Sequence, residues 1–276
     1  MFIKTLFLLL AFQTFGFSLS LSLNLNPSEL TITKYHYGDK DITNRILGDF
    51  MVYSVSLNDT NKWKATIVQS INPGPCFFIP HDNEQSSFKS AISSLRKYGG
   101  SILMIESNEK RNFRGIDPNR NFYKNNGYTR KIINLIKALQ PKGYPIITLH
   151  NNQDGWSGNG GKGTVSIYKK GKSTISYFGD RPGKLKDEDY LIYLASTNDK
   201  PSKFQKDMIK AINLNVKYEI VSRSDKSLSN FLSIHKPNIF YLNIESEHGD
   251  SINQQKMIDI VFDYLSLEET SINIFE

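Results

Sequence analysis

The stretch Pro80-His81-Asp82-Asn83-Glu84 lies between an apolar run and a helical pattern. The four residues before it, Cys76-Phe77-Phe78-Ile79, are typical of a short buried strand. After it, apolar residues recur at helical spacing over residues 86–98, until two glycines follow. The pattern predicts a strand, a tight turn and a helix, with His81 at the carboxyl end of the strand. In open α/β sheets, ligands bind at this edge.

His81 and Glu84 are three positions apart across the predicted turn, so that both side chains can reach one cation. Zinc accepts such nitrogen and oxygen ligands, and a catalytic zinc keeps one position open for water. A His-x-x-Glu pattern also occurs by chance, so this pair alone does not define a metal site.

The length and composition favour one globular domain. The chain has 276 residues, of which 39% are hydrophobic and 12% aromatic. We find no internal repeat and no low-complexity linker, and therefore assign residues 21–276 to a single catalytic domain.

Residues 1–20 form a separate segment with the features of a secretory signal peptide. Lys4 provides the positive charge, residues 6–12 the apolar core, and Gly16, Ser18 and Ser20 the small residues for cleavage. This pattern predicts export to the periplasm or the medium. The alternative is an N-terminal anchor helix, but the apolar run is shorter than the roughly 20 residues that a span needs. No stretch of the mature chain is long and apolar enough to cross a bilayer.

The single cysteine and the net charge limit other functions. Cys76 has no partner for an intramolecular disulfide, and we expect a buried thiol instead of a reactive one. The net charge of +7 and the pI near 9.2 would suit an anionic surface such as a cell wall. The lysines are scattered and no aromatic platform lies among them, so nucleic acid is not an expected partner. Solubility is the simpler explanation of the charge.

The remaining sequence predicts strands alternating with helices. Predicted strands occupy residues 51–57, 63–71, 76–79, 101–106, 144–150, 165–168, 218–222 and 238–245, and predicted helices 86–98, 129–139, 187–196, 201–214, 227–235 and 253–267. This alternation is typical of an α/β fold, here with a mixed, mostly parallel sheet flanked by helices.

Two further predicted strands end in residues suited to metal binding or acid–base chemistry. His150 ends one of them and Glu245 ends the other. Together with His81 and Glu84 they supply two imidazoles and a carboxylate for zinc, and a second carboxylate to act on water. A histidine after a strand is also often a hydrogen-bonded rim residue, which is the alternative for His150.

The polar loop at residues 107–128 adds groups for a substrate. Arg120 offers a two-pronged donor for a carboxylate, and Asn119 a second donor beside it. Arg114 could face a developing oxyanion. The alternative for this loop is a solvated basic surface.

In order along the chain, four motifs resemble those of the zinc carboxypeptidase A-like metallopeptidases. The family pattern is His-x-x-Glu, then Asn-Arg, then a histidine and a glutamate at strand ends, and it covers residues 75–248. Its relatives include deacylases of the aspartoacylase and succinylglutamate desuccinylase type. The resemblance implies a carboxypeptidase-like fold and one zinc ion per chain.

The resemblance also implies roles for individual residues. They are zinc ligation by His81, Glu84 and His150, binding of a terminal carboxylate by Asn119 and Arg120, proton transfer by Glu245, and, as a candidate match only, oxyanion stabilisation by Arg114.

The sequence departs from the family in several places. The spacings between its motifs are short for the digestive-type enzymes, which implies a reduced scaffold. The tyrosine that closes over the substrate has three unranked candidates, Tyr168, Tyr177 and Tyr241. Glu247 is the rival of Glu245 as the base, because alternate residues share a strand face. We expect His248 to be a rim residue.

The leading prediction is an exported zinc metallocarboxypeptidase that hydrolyses an amide bond next to a free carboxylate, with cell-wall peptides as one candidate substrate class. The first alternative is a zinc-dependent deacylase of N-acyl amino acids. The second is a non-catalytic protein that binds ligands at the zinc site.

Overall fold

The computed structural model describes residues 30–32, 50–57, 63–140, 143–153, 165–171 and 173–272. The predicted signal peptide and most of the glycine-rich stretch that contains Trp156 lie outside these ranges.

One mixed sheet of ten strands forms the centre of the described structure. The strands are β1 (Leu30–Ile32), β2 (Met51–Ser56), β3 (Lys64–Gln69), β4 (Cys76–Ile79), β5 (Ser101–Glu106), β6 (Ile146–Asn152), β7 (Thr174–Tyr177), β8 (Leu191–Ser196), β9 (Asn215–Ile220) and β10 (Tyr241–Glu247). Their order across the sheet is β1-β2-β3-β5-β4-β6-β10-β8-β9-β7.

Helices cover both faces of this sheet. They are α1 (Gln85–Tyr98), α2 (Gly127–Leu139), α3 (Lys203–Ile212), α4 (Leu228–His235) and α5 (Ser251–Ile272). Helices α1, α3 and α5 pack on one face, and α2 and α4 pack on the other. In β4, Phe77 belongs to the first of these two cores and Phe78 to the second. A strand buried on both faces must be apolar at every position, which explains the continuous apolar run.

The parallel strands at the centre of the sheet position the predicted site residues. Strand β4 pairs in parallel with β5 and β6, and β6 pairs in parallel with β10. The carboxyl ends of these strands therefore meet at one edge, where Glu245 lies directly opposite His150. The outer pairs of β1, β2, β3 and β5 are antiparallel. The α/β fold with a mixed sheet flanked by helices is confirmed. The sheet is not mostly parallel as predicted, because five of the nine strand pairs among the described residues are antiparallel, including β8 with β10 and β7 with β9.

Two local predictions were wrong. Residues 187–196 do not form a helix, because Leu191–Ser196 is strand β8, paired with β10 on one side and β9 on the other. This segment has too few apolar residues to distinguish a helical period from a buried strand. It forms a strand because β10 and β9 pair with it on both sides. The predicted strand at 165–168 is absent, and the nearest strand is β7.

Burial explains the behaviour of the single cysteine. Cys76 is fully buried in β4, and burial raises the pKa of its thiol to about 12. The thiol therefore stays protonated and acts as a small apolar side chain. Within the described ranges, no helix is long and apolar enough to cross a membrane.

Candidate active site

A short turn after β4 holds the first two predicted ligands. The amide of Glu84 donates to the carbonyl of His81 over 3.2 Å, and α1 begins at the next residue. The carboxylate of Asp82 accepts hydrogen bonds from the amide and the hydroxyl of Ser107, at 2.7 and 2.5 Å. Because Ser107 follows β5, these bonds fasten the turn to the neighbouring strand.

The Glu84 carboxylate lies between two histidines. Its Oε1 is 2.9 Å from Nδ1 of His81, and its Oε2 is 3.1 Å from Nδ1 of His150. Oε2 also accepts a hydrogen bond from the amide of Asn151 at 3.1 Å. All three side chains are buried, with Glu84 only 1% exposed. The structure thus brings His81, Glu84 and His150 together, as the strand ends predicted.

These three residues fit a zinc ion. They offer two imidazole nitrogens and a carboxylate oxygen, all within 4.8 Å of one another. Zinc bonds of about 2.0–2.2 Å in tetrahedral geometry place ligand atoms about 3.4 Å apart. Each imidazole Nδ1 has its own Glu84 oxygen nearby, at 2.9 Å for His81 and 3.1 Å for His150, a little under this value.

Asp117 orients the first histidine, a role that no sequence pattern predicted. Its Oδ1 lies 2.8 Å from Nε2 of His81, on the side of the ring opposite to Glu84. A carboxylate in that position fixes the ring and leaves Nδ1 available to a metal. Asn119 lies near the second histidine, with its Nδ2 3.3 Å from Nε2 of His150.

The charges of this group depend on each other. Burial by itself would lower the pKa of His81, but Glu84 and Asp117 raise it to about 9. Burial would raise the pKa of Glu84, yet His150 and His81 hold it well below its usual range. The carboxylate therefore needs a positive charge beside it, which a protonated histidine or a divalent cation can provide.

Glu245 and Glu247 lie two residues apart on β10 but have different surroundings. Glu245 lines a cleft together with Glu84 and His150. Burial raises the pKa of its carboxyl group, and Asn243 Nδ2 donates to its Oε1 over 2.7 Å. Glu247 instead accepts hydrogen bonds from Lys184 at 2.8 Å and Tyr190 at 3.0 Å, outside the cleft lining.

The same cleft contains both residues predicted to bind a carboxylate, Asn119 and Arg120. Arg120 is 46% exposed on its side chain, and its Nη2 lies 3.5 Å from Oδ2 of Asp225. Its Nη1 donates to the carbonyl of Asn119 over 3.0 Å. The guanidinium of Arg120 is thus held at the cleft and remains accessible to a ligand.

The structure does not bring Arg114 to the cleft, and Arg111 lies there instead. The backbone of Arg114 has a φ of 50°, and its guanidinium lies 5.2 Å from the ring centre of its partly buried neighbour Phe113. Arg111 Nη1 is 3.4 Å from Glu84 Oε1, and its Nε is 3.7 Å from Asp117 Oδ2. Both arginines belong to one irregular loop, where no periodicity indicates which of them turns inward.

Of the three tyrosines proposed from the sequence to close over the substrate, Tyr241 is the one that lines the cleft. Tyr193, which was not among the three, lines the cleft as well. Tyr168 is exposed and lies beside Phe178, and Tyr177 belongs to the outer strand β7. His248 is exposed and is absent from the cleft lining, as expected of a rim residue.

No protein-family model and no curated protein matches this chain. Several solved structures are similar to it. A candidate metallopeptidase from Shewanella amazonensis is 14% identical, with 82% of this chain and 88% of that chain covered and a TM-score of 0.43. An aspartoacylase family protein from Mesorhizobium loti is 12% identical, with coverages of 86% and 70% and a TM-score of 0.45. A murein-tripeptide amidase from Escherichia coli O157 is 12% identical, with coverages of 78% and 90% and a TM-score of 0.40.

The metal centre is tested by zinc content. We expect the purified protein to hold about one zinc ion per chain and to lose it to a chelator. His81→Ala and His150→Ala should each lower the zinc content strongly, because each removes a ligand atom. His248→Ala is the matched control and should keep its zinc. Unchanged zinc in both ligand variants, measured by elemental analysis after dialysis, would contradict the assignment.

The two carboxylates of β10 are tested by substituting each in turn. Glu245→Gln should keep zinc and lose turnover by about 10²–10⁴-fold, the usual contribution of a positioned acid–base group. Glu247→Gln should affect turnover far less, because its carboxylate lies outside the cleft. Steady-state rates of both variants at equal zinc content show which carboxylate is the acid–base group. An inactive Glu247→Gln beside an active Glu245→Gln would assign that role to Glu247.

Proposed function

We propose that this chain is a zinc-dependent hydrolase of the carboxypeptidase type, which cleaves an amide bond next to a free carboxylate. The observation that carries the proposal is one cleft that holds a metal-type group, a separate carboxylate and an accessible arginine. The cleft is lined by Glu84 and His150, which form the candidate metal site together with the buried His81, and by Glu245 and Arg120. Each is a group that hydrolysis beside a carboxylate requires.

A zinc ion held by the three ligands would supply a Lewis acid that polarises the scissile carbonyl and makes the attacking water more acidic. Glu245 accepts a proton from that water as its oxygen bonds to the carbonyl carbon. The same carboxyl group then donates the proton to the amine nitrogen as the C–N bond breaks, which releases a carboxylic acid and an amine. Its raised pKa brings it closer to the range in which it can do both.

Arg111 takes the role for which Arg114 was the sequence candidate. Its guanidinium lies beside Glu84 and lines the cleft, so it can donate to the oxygen on which negative charge develops. Arg120 holds the substrate's free carboxylate, with Asn119 beside it, and thereby selects the amide bond nearest to that end.

The deacylase remains the second candidate function, because an N-acyl amino acid also presents a carboxylate next to the scissile amide. Arg120, whose side chain is 46% exposed, can bind the carboxylate of either substrate, and the assay below distinguishes the two. Export by residues 1–20 is part of our proposal and rests on their sequence pattern. Cell-wall peptides are a candidate substrate for an exported enzyme of this type.

The role of Arg120 is tested with paired substrates. Amidation of the substrate's free carboxylate should lower kcat/KM of the wild type by at least about tenfold, because hydrogen bonds to charged groups contribute about 1.5–3 kcal/mol each. The same amidation should hardly affect kcat/KM of Arg120→Ala, because the substitution and the amidation remove the same contact between the guanidinium and the carboxylate. Equal losses in both proteins would exclude Arg120 as the carboxylate site. If an acylated amino acid is hydrolysed and no peptide is, the deacylase is correct.

The two loop arginines are tested in the same assay. Arg111→Ala should lower kcat by about 10²–10³-fold, as expected for the loss of an oxyanion donor. Arg114→Ala should leave kcat nearly unchanged, which makes it the matched control. Zinc content is measured for both, because Arg111 also contacts Glu84. If Arg114→Ala lowers kcat more than Arg111→Ala does, Arg114 is the oxyanion donor instead.

A further inference from the structure

The cleft extends beyond the groups that hydrolysis needs. It crosses the face of the sheet from β6 and β10, which carry His150 and Glu245, to β8 and β9, which carry Tyr193 and Glu219. Two carboxylates in this extension, Glu219 and Asp225, have no part in metal binding or proton transfer. They line the space next to Arg120.

Glu219 is held in a fixed orientation. Its Oε2 accepts hydrogen bonds from the hydroxyl of Tyr193 at 2.9 Å and from Nδ2 of Asn230 at 3.0 Å. Within the described part of the chain, no donor is recorded for its other oxygen, Oε1. No lysine or arginine forms an ion pair with Glu219 among the described residues. Burial raises the pKa of its carboxyl group, so a cationic ligand beside it would favour the ionised form.

A second buried acceptor lies in the same cleft. Asn243 is 7% exposed and is directly opposite Tyr193 in the sheet. Its Nδ2 donates to Glu245, which fixes the orientation of the amide. Its Oδ1 is buried and accepts no hydrogen bond from the residues that the structure describes. Buried acceptors in proteins are nearly always paired, so this oxygen also indicates a missing donor.

Binding of a carboxylate by Arg120 would change the charge balance of this region. Arg120 lies 3.5 Å from Asp225 and is the nearest cation to it among the cleft residues described. Once the guanidinium turns to a substrate carboxylate, Asp225 shares its cation with that group. The extension of the cleft then holds two carboxylates with little compensating charge. A cation on the substrate itself would restore the balance.

We propose that this extension recognises an ammonium group on the side chain of the residue that carries the free carboxylate. The substrate class is therefore a peptide or acyl amino acid that ends in lysine, ornithine or another diamino acid. Its carboxylate binds Arg120, and its side-chain ammonium donates to Glu219, Asp225 and the Asn243 oxygen. This inference rests on the proposed function and specifies its substrate.

The test uses the zinc-loaded full chain and a series of acylated dipeptides that differ only in the last residue. Lysine, norleucine and Nε-acetyllysine compare a charged side chain with two uncharged ones. The wild type should cleave the lysine substrate with a kcat/KM about tenfold or more above the other two. Release of the last residue is measured by mass spectrometry.

Variants assign the preference to the residues named. Glu219→Gln keeps the shape of the side chain and removes its charge, and it should lower the ratio of lysine to norleucine cleavage several-fold. Asp225→Asn should lower it in the same direction. Asp207→Asn, which removes an exposed charge on α3, is the control and should keep the ratio. Thermal unfolding of each variant establishes that it is folded.

The outcomes separate this inference from the proposed function. Equal cleavage of lysine and norleucine substrates by the wild type would overturn the inference and leave the hydrolase intact. A lysine preference that both Glu219→Gln and Asp225→Asn retain in full would overturn it as well. No cleavage of any member by the zinc-loaded protein would overturn the proposed function and the inference together.

Discussion

The buried carboxylate of Glu84 is the constraint on which the site depends. An ionised carboxylate that is 1% exposed is unfavourable unless it is paired and hydrogen-bonded. His81, His150 and the amide of Asn151 provide these partners, at 2.9 to 3.1 Å. Loss of one partner from a buried ionic group typically costs about 3–5 kcal/mol. The parallel arrangement of β4 and β6 is therefore a requirement of the site, because it brings both histidines to one carboxylate.

This use of Glu84 has a consequence for the helix that follows it. Glu84 occupies the N-cap position of α1, yet its side chain makes no capping hydrogen bond. The cap comes from the neighbouring strand, because Oδ1 of Asn151 accepts from the amide of Ser87 at 3.2 Å and from the hydroxyl of Ser86 at 2.7 Å. Asn151 thus takes over a role that a residue at the N-cap usually has. The carboxylate is left for the metal site, while the amide of Ser87 in the first turn still has a side-chain acceptor.

The sequence predicted the parts of the site that follow from strand ends and missed those that depend on loop conformation. His81, His150 and Glu245 each end an apolar run, and parallel strands bring such ends together without further information. The choice between Arg111 and Arg114 depends on a loop in which Asn108, Glu109 and Arg114 have φ values of 50–58°. Left-handed backbone at residues other than glycine leaves no periodic trace in a sequence. The strand β8 was missed for a related reason, since only its pairing with β9 and β10 distinguishes it from a short helix.

The pair formed by Arg120 and Asp225 shows how the cleft can be ordered and still bind a ligand. Both side chains are about half exposed, at 46% and 47%, and their charged atoms are 3.5 Å apart. Exposed ion pairs of this kind contribute only about 0–1 kcal/mol, so a substrate carboxylate can replace Asp225 at little cost. A buried pair would hold the guanidinium more tightly and would resist exchange. The partial exposure of this pair therefore keeps Arg120 near its place while its hydrogen-bond donors stay available to a substrate.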